Sequence, residues 1–340
     1  MHQNTVSAAY VAAELEARGH RDSHDFDEAA TSAQAAARIA RGDGDAESWW
    51  NMTFFQAENL LAAGKFEDCA DVTQTLIDEP GDSTPRLRAQ THILMAKARQ
   101  GSGLLENAAA EARAASDLMK DEADVEINVM ALQALIAALA DSGKLEEAWA
   151  ECLTMAEVIS AEVDDHLLGK AYWVIGNVAF LCNRVQDGLT YHERAAATFS
   201  PARNLDVWAK FNKASAAMRL AADVADADTL RCIERAELAT DVIGGSAEDY
   251  ILLRLNRGHW SYLAGDPKTA TELLEGVCAD ADTTVPQILG EARLLLGRAY
   301  AALGNPDKAK ENLLTAADHF ETAGAAQRAE LAREYLAAEA

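Results

Sequence analysis

The sequence predicts an all-α protein, an α-solenoid of about eight helical hairpins closed by a C-terminal helix. Three observations carry this expectation. Alanine, leucine and glutamate abound in a chain of 340 residues that holds only 6 prolines and 20 glycines, and these abundant side chains lose little on entering a helix. Runs of Val, Ile and Thr at period two, the mark of half-buried strands, are absent. A pattern of small residues around a turn returns every 39 to 40 residues. The chain is 49% hydrophobic, ample for a core, and longer than one ordinary compact domain.

The first hairpin, 6–41, begins at Val6 to Ala17 and carries a stretched turn, RGHRDSHDFDEA. The second, 48–81, has Ala57, Gly64, Phe66 and Cys69 at its contact and turn positions, and the third, 86–121, has Ala96, Gly103 and Ala108. Gly143 and Ala148 mark the fourth, 126–161; Gly176, Asn183, Gly188 and Ala195 mark the fifth, 167–201. The next clear turn is Gly265, 82 residues after Asn183, which leaves room for one more unit. That sixth hairpin is 205–243, with a longer turn around Ala221 to Asp228. The seventh, 248–283, uses Gly258, Gly265, Ala270 and Leu274.

The eighth hairpin, 287–321, is the clearest. Leu296, Gly297 and Tyr300 share one helix face, Ala309, Leu313 and Ala316 another, and "GNPDKA" separates them. Gly304 can end the first helix in the left-handed conformation, and Pro306 fits the first turn of the second. The tail 325–340 reads as one amphipathic helix. Leu331, Tyr335 and Leu336 lie on one face, and Arg328, Glu330, Arg333 and Glu334 cover the rest. A polar-backed last helix closes the exposed end of a solenoid.

Small residues at a fixed period of helix pairs resemble the tetratricopeptide repeat (TPR) family, with residues 296–309 the best match. The period of about 40 exceeds the usual 34. Longer repeats of this kind are similar to the sensor domains of bacterial Rap and PlcR-like peptide-sensing regulators and of MalT. The resemblance covers nearly the whole chain and implies a single right-handed superhelical domain, 1–340. It also implies that the first helix of each hairpin lines an inner, concave wall. With the small contact residue as position eight, positions two, five, nine and twelve then face inward.

Those positions are Asn51, Phe54, Glu58 and Leu61 in the second hairpin, and Gln90, Ile93, Lys97 and Gln100 in the third. The fourth gives Met130, Gln133, Ala137 and Ala140; the fifth Lys170, Trp173, Asn177 and Phe180. The sixth gives Trp208, Phe211, Ser215 and Met218; the seventh Leu252, Leu255, His259 and Tyr262; the last Glu291, Leu294, Arg298 and Ala301. Aromatic residues are only 6% of the chain, yet they gather in hairpins five to seven. The expected ligand site is therefore Trp173, Asn177, Phe180, Trp208, Phe211, Ser215, His259 and Tyr262. Large rings give contact area at low entropic cost, and an interleaved asparagine can hold a peptide backbone through both its donor and its acceptor. The alternative stays open that these rings are core between hairpins. A shift of one residue turns each side chain by ~100°.

The formal charge of −25 argues against nucleic acid, which needs clustered Lys and Arg. It suits a basic partner or simply a soluble surface. Cys69, Cys152, Cys182, Cys232 and Cys278 form no CxxC, which fits reduced thiols in a cytoplasmic protein. No apolar run approaches the ~20 residues that span a bilayer. His20 and His24, four apart beside Asp22, Asp25 and Asp27, read as a polar turn rather than a metal edge, and "GDGD" at 42–45 reads as a turn lacking the other ligands of a calcium loop. No phosphate loop, nucleophile elbow or HExxH is present. No catalytic residue, metal or cofactor is expected.

Rap-type relatives act on a response regulator from an extra N-terminal bundle, and related regulators place a helix-turn-helix ahead of the repeats. Neither is recognisable here, where the repeats start at about Val6. Two functions stand side by side. One is a cytoplasmic, bacterial, non-enzymatic module that holds a short peptide or protein segment, basic or apolar, in its groove as the sensor of a regulator. The other is a scaffold for a folded partner, with no peptide pocket. A homodimer is compatible with either.

Overall fold

The computed structural model describes residues 7–81, 83–120, 122, 124–159, 163–279 and 284–338. The expected hairpin ends at Val6, Asp121, Ala161 and Thr283, the residue His2 and the last two residues of the capping helix lie outside that set. Among the described residues there are helices and no strand. The chain divides into two compact units, Met1–Cys182 and Asn183–Ala340.

The first unit contains α1 (Ala8–Asp22), α2 (Phe26–Gly42), α3 (Ala46–Ala62), α4 (Phe66–Asp78), α5 (Pro85–Gly101), α6 (Leu105–Met119), α7 (Val125–Asp141), α8 (Leu145–Val158) and α9 (Asp165–Leu181). The second contains α10 (Val185–Thr198), α11 (Leu205–Ala221), α12 (Ala227–Ile243), α13 (Ala247–Leu263), α14 (Pro267–Ala279), α15 (Pro286–Ala302), α16 (Pro306–Thr322) and α17 (Ala326–Ala338). The order is the expected one: paired helices, then a last single helix.

Local chemistry sets the ends. Asp45, Thr84, Asp124 and Ser246 each begin a helix by accepting, on a side-chain oxygen, the N–H three residues on. Ser246 and Asp249 complete a reciprocal capping box. The first helix of every pair stops at a left-handed residue. These are His24, Gly64, Gly103, Gly143, Asn183, Asp223, Gly265 and Gly304, with φ between 56° and 84°. The next residue donates its N–H back five positions, as Lys65 does to the Leu60 carbonyl and Val224 to the Arg219 carbonyl. This closure satisfies the last carbonyls and reverses the chain in a few residues.

The residue seven before each left-handed one is buried, and it is small, as at Ala57, Ala96, Ala216 and Gly297, except for Ile136 in the fourth hairpin. At Gly297 a Cβ would stand 2.6 Å from Leu313 Cγ. The two helices of that hairpin touch too closely for any side chain. In the first unit, α3 packs on α5, α5 on α7 and α7 on α9; in the second, α11 packs on α13 and α13 on α15. Among the described residues, no pair of second helices within a unit packs comparably. The first helices therefore form the tighter, inner layer of each unit.

The sixth hairpin corrects the sequence expectation. Its turn is 222–226, and Asp223, not a glycine, takes the left-handed position with φ 56°. The contact residue is thus Ala216, two places beyond the one assumed. Phe211 and Ser215, expected on the groove, are 1% exposed and belong to the core. Phe211 packs edge-on against His192 at 5.8 Å and against Phe199 at 5.2 Å. Ser215 Oγ lies 3.0 Å from His192 Nδ1. The inner positions of α11 become Lys210, Lys213, Ala217 and Leu220.

Candidate functional site

Within the first unit, the inner faces of α5, α7 and α9 enclose a cavity of about 430 Å³. Lys97 and Gln100 enter it from α5, Met130, Gln133 and Ala137 from α7, and Lys170 from α9. Each of these is an inward position of the expected register. Glu126, Asp164, His166 and Leu167 complete much of the wall. The N-terminal ends of α7 and α9 place these last four. Asp164 caps α9, accepting the His166 N–H at 2.8 Å.

The electrostatics of this wall are uneven. Lys97 is exposed to the cavity, and the wall that crowds it removes part of its hydration. This desolvation pushes its ammonium below the ordinary lysine range; the charge of Lys170 adds to the effect and Glu58 opposes it. Glu58 itself accepts from Arg21 Nη1 at 2.9 Å. The Gln133 amide nitrogen is buried without an acceptor.

The eight expected site residues fall in two sets. Trp173, Asn177 and Phe180 follow Lys170 along α9 in the first unit. The first two are half-buried, and Phe180 is buried. The others lie in the second unit, where Phe211 and Ser215 are core. Trp208 is half-buried, with the Arg235 guanidinium 5.9 Å from its ring. His259 and Tyr262 lie half-buried on α13. Arg298, from α15, stands 4.8 Å from the rings of both Tyr262 and Tyr335. Arg328 donates from Nε to Glu291 at 2.7 Å. Burial first, then the charges of Arg298 and Arg328, push His259 down to about 4. It is a neutral ring at pH 7.

The Ser215–His192 contact sets a hydroxyl beside an imidazole, but both residues are 1% exposed and lie in the core, out of reach of a substrate. Burial pushes the Cys69 thiol up to about 11 and Cys152 to about 12, so both stay protonated and unreactive. Among the described residues no group of three or more His, Cys, Asp or Glu could hold a metal, and no helix is long and apolar enough to cross a membrane.

No family model and no curated protein matches the sequence. Solved structures do match the fold. The apo form of the quorum sensor NprR from B. thuringiensis superposes with a TM-score of 0.59 at 12% identity, over 97% of this chain and 87% of that one. The fold is tetratricopeptide-like, of the Rap and NprR kind. The apo form of RapI gives a TM-score of 0.62 at 12% identity, over 80% of this chain and 97% of that one. Aspartyl phosphate phosphatase F from Bacillus subtilis gives 0.59 at 16%, over 85% and 75%.

The Rap-like inner layer explains which residues the sequence argument undervalued. Lys97, Gln133 and Lys170 were on the inward list, but aromatic content outweighed them. The missed signal was two cations and an amide at inward positions of three neighbouring first helices.

Proposed function

We propose that this chain is a non-enzymatic binding module that takes a short peptide or protein segment against its inner helices, as the sensing part of a bacterial regulator. The cavity between α5, α7 and α9 carries this reading. It is open, it is built from the layer that a Rap-like fold presents inward, and it mixes donors, acceptors and apolar surface. Such a lining suits a backbone with side chains better than a small apolar ligand. Trp173 continues the same helix one turn beyond Lys170, so it is a natural reporter.

The test is tryptophan fluorescence of the full chain during titration with pools of synthetic octapeptides. The expected result is a saturable change that Trp173→Phe abolishes while Trp208→Phe leaves it in place. No change with any pool, in a protein shown to be folded, overturns the reading. A scaffold role is the second reading. Leu238 and Val242 favour it, one turn apart on α12 and 65% and 68% exposed; it predicts no response to any octapeptide.

A further inference from the structure

The two lysines of the cavity stand out against the rest of the chain. Acidic residues outnumber basic ones by 55 to 30. Five of the other lysines pair with carboxylates; Lys120, Lys268 and Lys310, which make no such pair among the described residues, are exposed and line no part of this cavity. Lys65 pairs with Asp27 at 2.8 Å, Lys144 with Glu106 at 2.6 Å and Lys210 with Asp206 at 2.8 Å. Among the described residues Lys97 and Lys170 make no ion pair. They come from helices α5 and α9, on either side of α7, and face the same cavity. Between them, on α7, sits Gln133, whose amide nitrogen is buried without an acceptor. A buried donor lacking a partner is destabilising, and an acceptor brought by a ligand relieves it. Two ammonium groups thus face one space, an amide donor lies unsatisfied in its wall, and nothing described in the protein accepts from any of them.

We propose that Lys97, Gln133 and Lys170 form a cradle for a carboxylate, so that the peptide bound here is held by an acidic group. This rests on the peptide-binding reading above and adds to it the chemistry of the ligand. One carboxylate between two ammonium groups relieves their mutual repulsion, and its second oxygen can accept from the amide. A more highly charged anion fits worse. Glu126 and Asp164 lie in the same wall and Glu58 lies near Lys97, so a phosphate dianion meets acidic neighbours. The cradle also reverses the expectation drawn from net charge: the surface as a whole favours a basic partner, and this cavity favours an acidic group.

The carboxylate can be the C-terminus of the peptide or an Asp or Glu side chain, and the experiment separates these sources. Three pools of N-acetylated octapeptides are passed over the immobilised full chain and retention is read by mass spectrometry. The first pool is C-terminally amidated and contains no Asp or Glu. The second is the same with a free C-terminus. The third is amidated with one Asp or Glu at a random position.

The expected result is retention of the second or third pool over the first by about tenfold, the least a charge-assisted contact of this kind gives. Lys97→Met with Lys170→Met should abolish that preference, and Lys97→Arg with Lys170→Arg should keep most of it. Lys97 is exposed and Lys170 half-buried, so the variants should melt like the parent. Equal retention of all three pools by the parent overturns the cradle and leaves peptide binding standing. So does an undiminished preference in the folded double methionine variant. Retention of no pool overturns the peptide reading and the cradle with it.

Discussion

His259 is a charge sensor that the fold holds in its neutral state. Its ring is enclosed and faces Arg298 and Arg328, so its folded value is about 4, against about 6.5 in an unfolded chain. Between these values the unfolded chain binds a proton and the folded one does not. Stability is therefore lost as pH falls from about 6.5 towards 4, by up to about 1.4 kcal/mol per pH unit. Urea denaturation at pH 7, 6 and 5 should show a steeper decline for the parent than for His259→Leu. Parallel declines would mean the ring is already protonated or does not feel those arginines. The sequence expectation sets His259 on an inward position, and the structure makes it half-buried on α13. The sequence could not reveal the state of the ring, because Arg298 and Arg328 belong to α15 and α17, 39 and 69 residues further along.

At the scale of the element, the left-handed residue that ends each first helix organises the hairpin. Glycine occupies most of these places, where it meets no steric penalty. Asp223 takes the same conformation with a Cβ in place, at a cost of about 1–2 kcal/mol for an L-residue. Asp223→Gly should raise the stability of the second unit by about 1 kcal/mol, measured by chemical denaturation; a loss would mean that the Asp223 side chain supports the turn. Asn183 should gain less, since asparagine tolerates this conformation better. The same residue explains where the sequence argument went astray. Six turns were legible from Gly or Asn, and the helices around them fell in the expected register. The sixth hairpin lacks that mark, so the sequence expectation for its first helix lies two residues out and sets Phe211 and Ser215 on the groove. A period of 40 counted on from Asn183 lands on Asp223, but the regularity is evident only once each left-handed residue is seen. The lysine cradle was hidden for another reason: an unpaired lysine is defined by what surrounds it, and one sequence does not state which carboxylates are near.

At the scale of the whole molecule, the net charge of −25 is spread over packed hairpins whose helices each touch few neighbours. Like charges repel one another across such a surface, and the folded chain concentrates them. Raising sodium chloride from about 0.1 to 1 M shortens the screening length from about 10 Å to 3 Å. Thermal midpoints should rise over that range. A fall would show that ion pairs between neighbouring hairpins, such as Arg41 with Glu79 or Arg328 with Glu291, outweigh the repulsion. The two ends of a hairpin also differ in freedom. The turns within hairpins are almost all three residues long, each closed by its left-handed residue, whereas the links from one hairpin to the next run from three to six residues. A gene coding for such a chain can gain or lose codons at the links, as at Phe199–Asn204, without turning any helix about its axis. One codon added within a helix would rotate the rest of that inner face by about 100°. New sequence, whether from evolution or from a designer's tag, has one rim at which to enter.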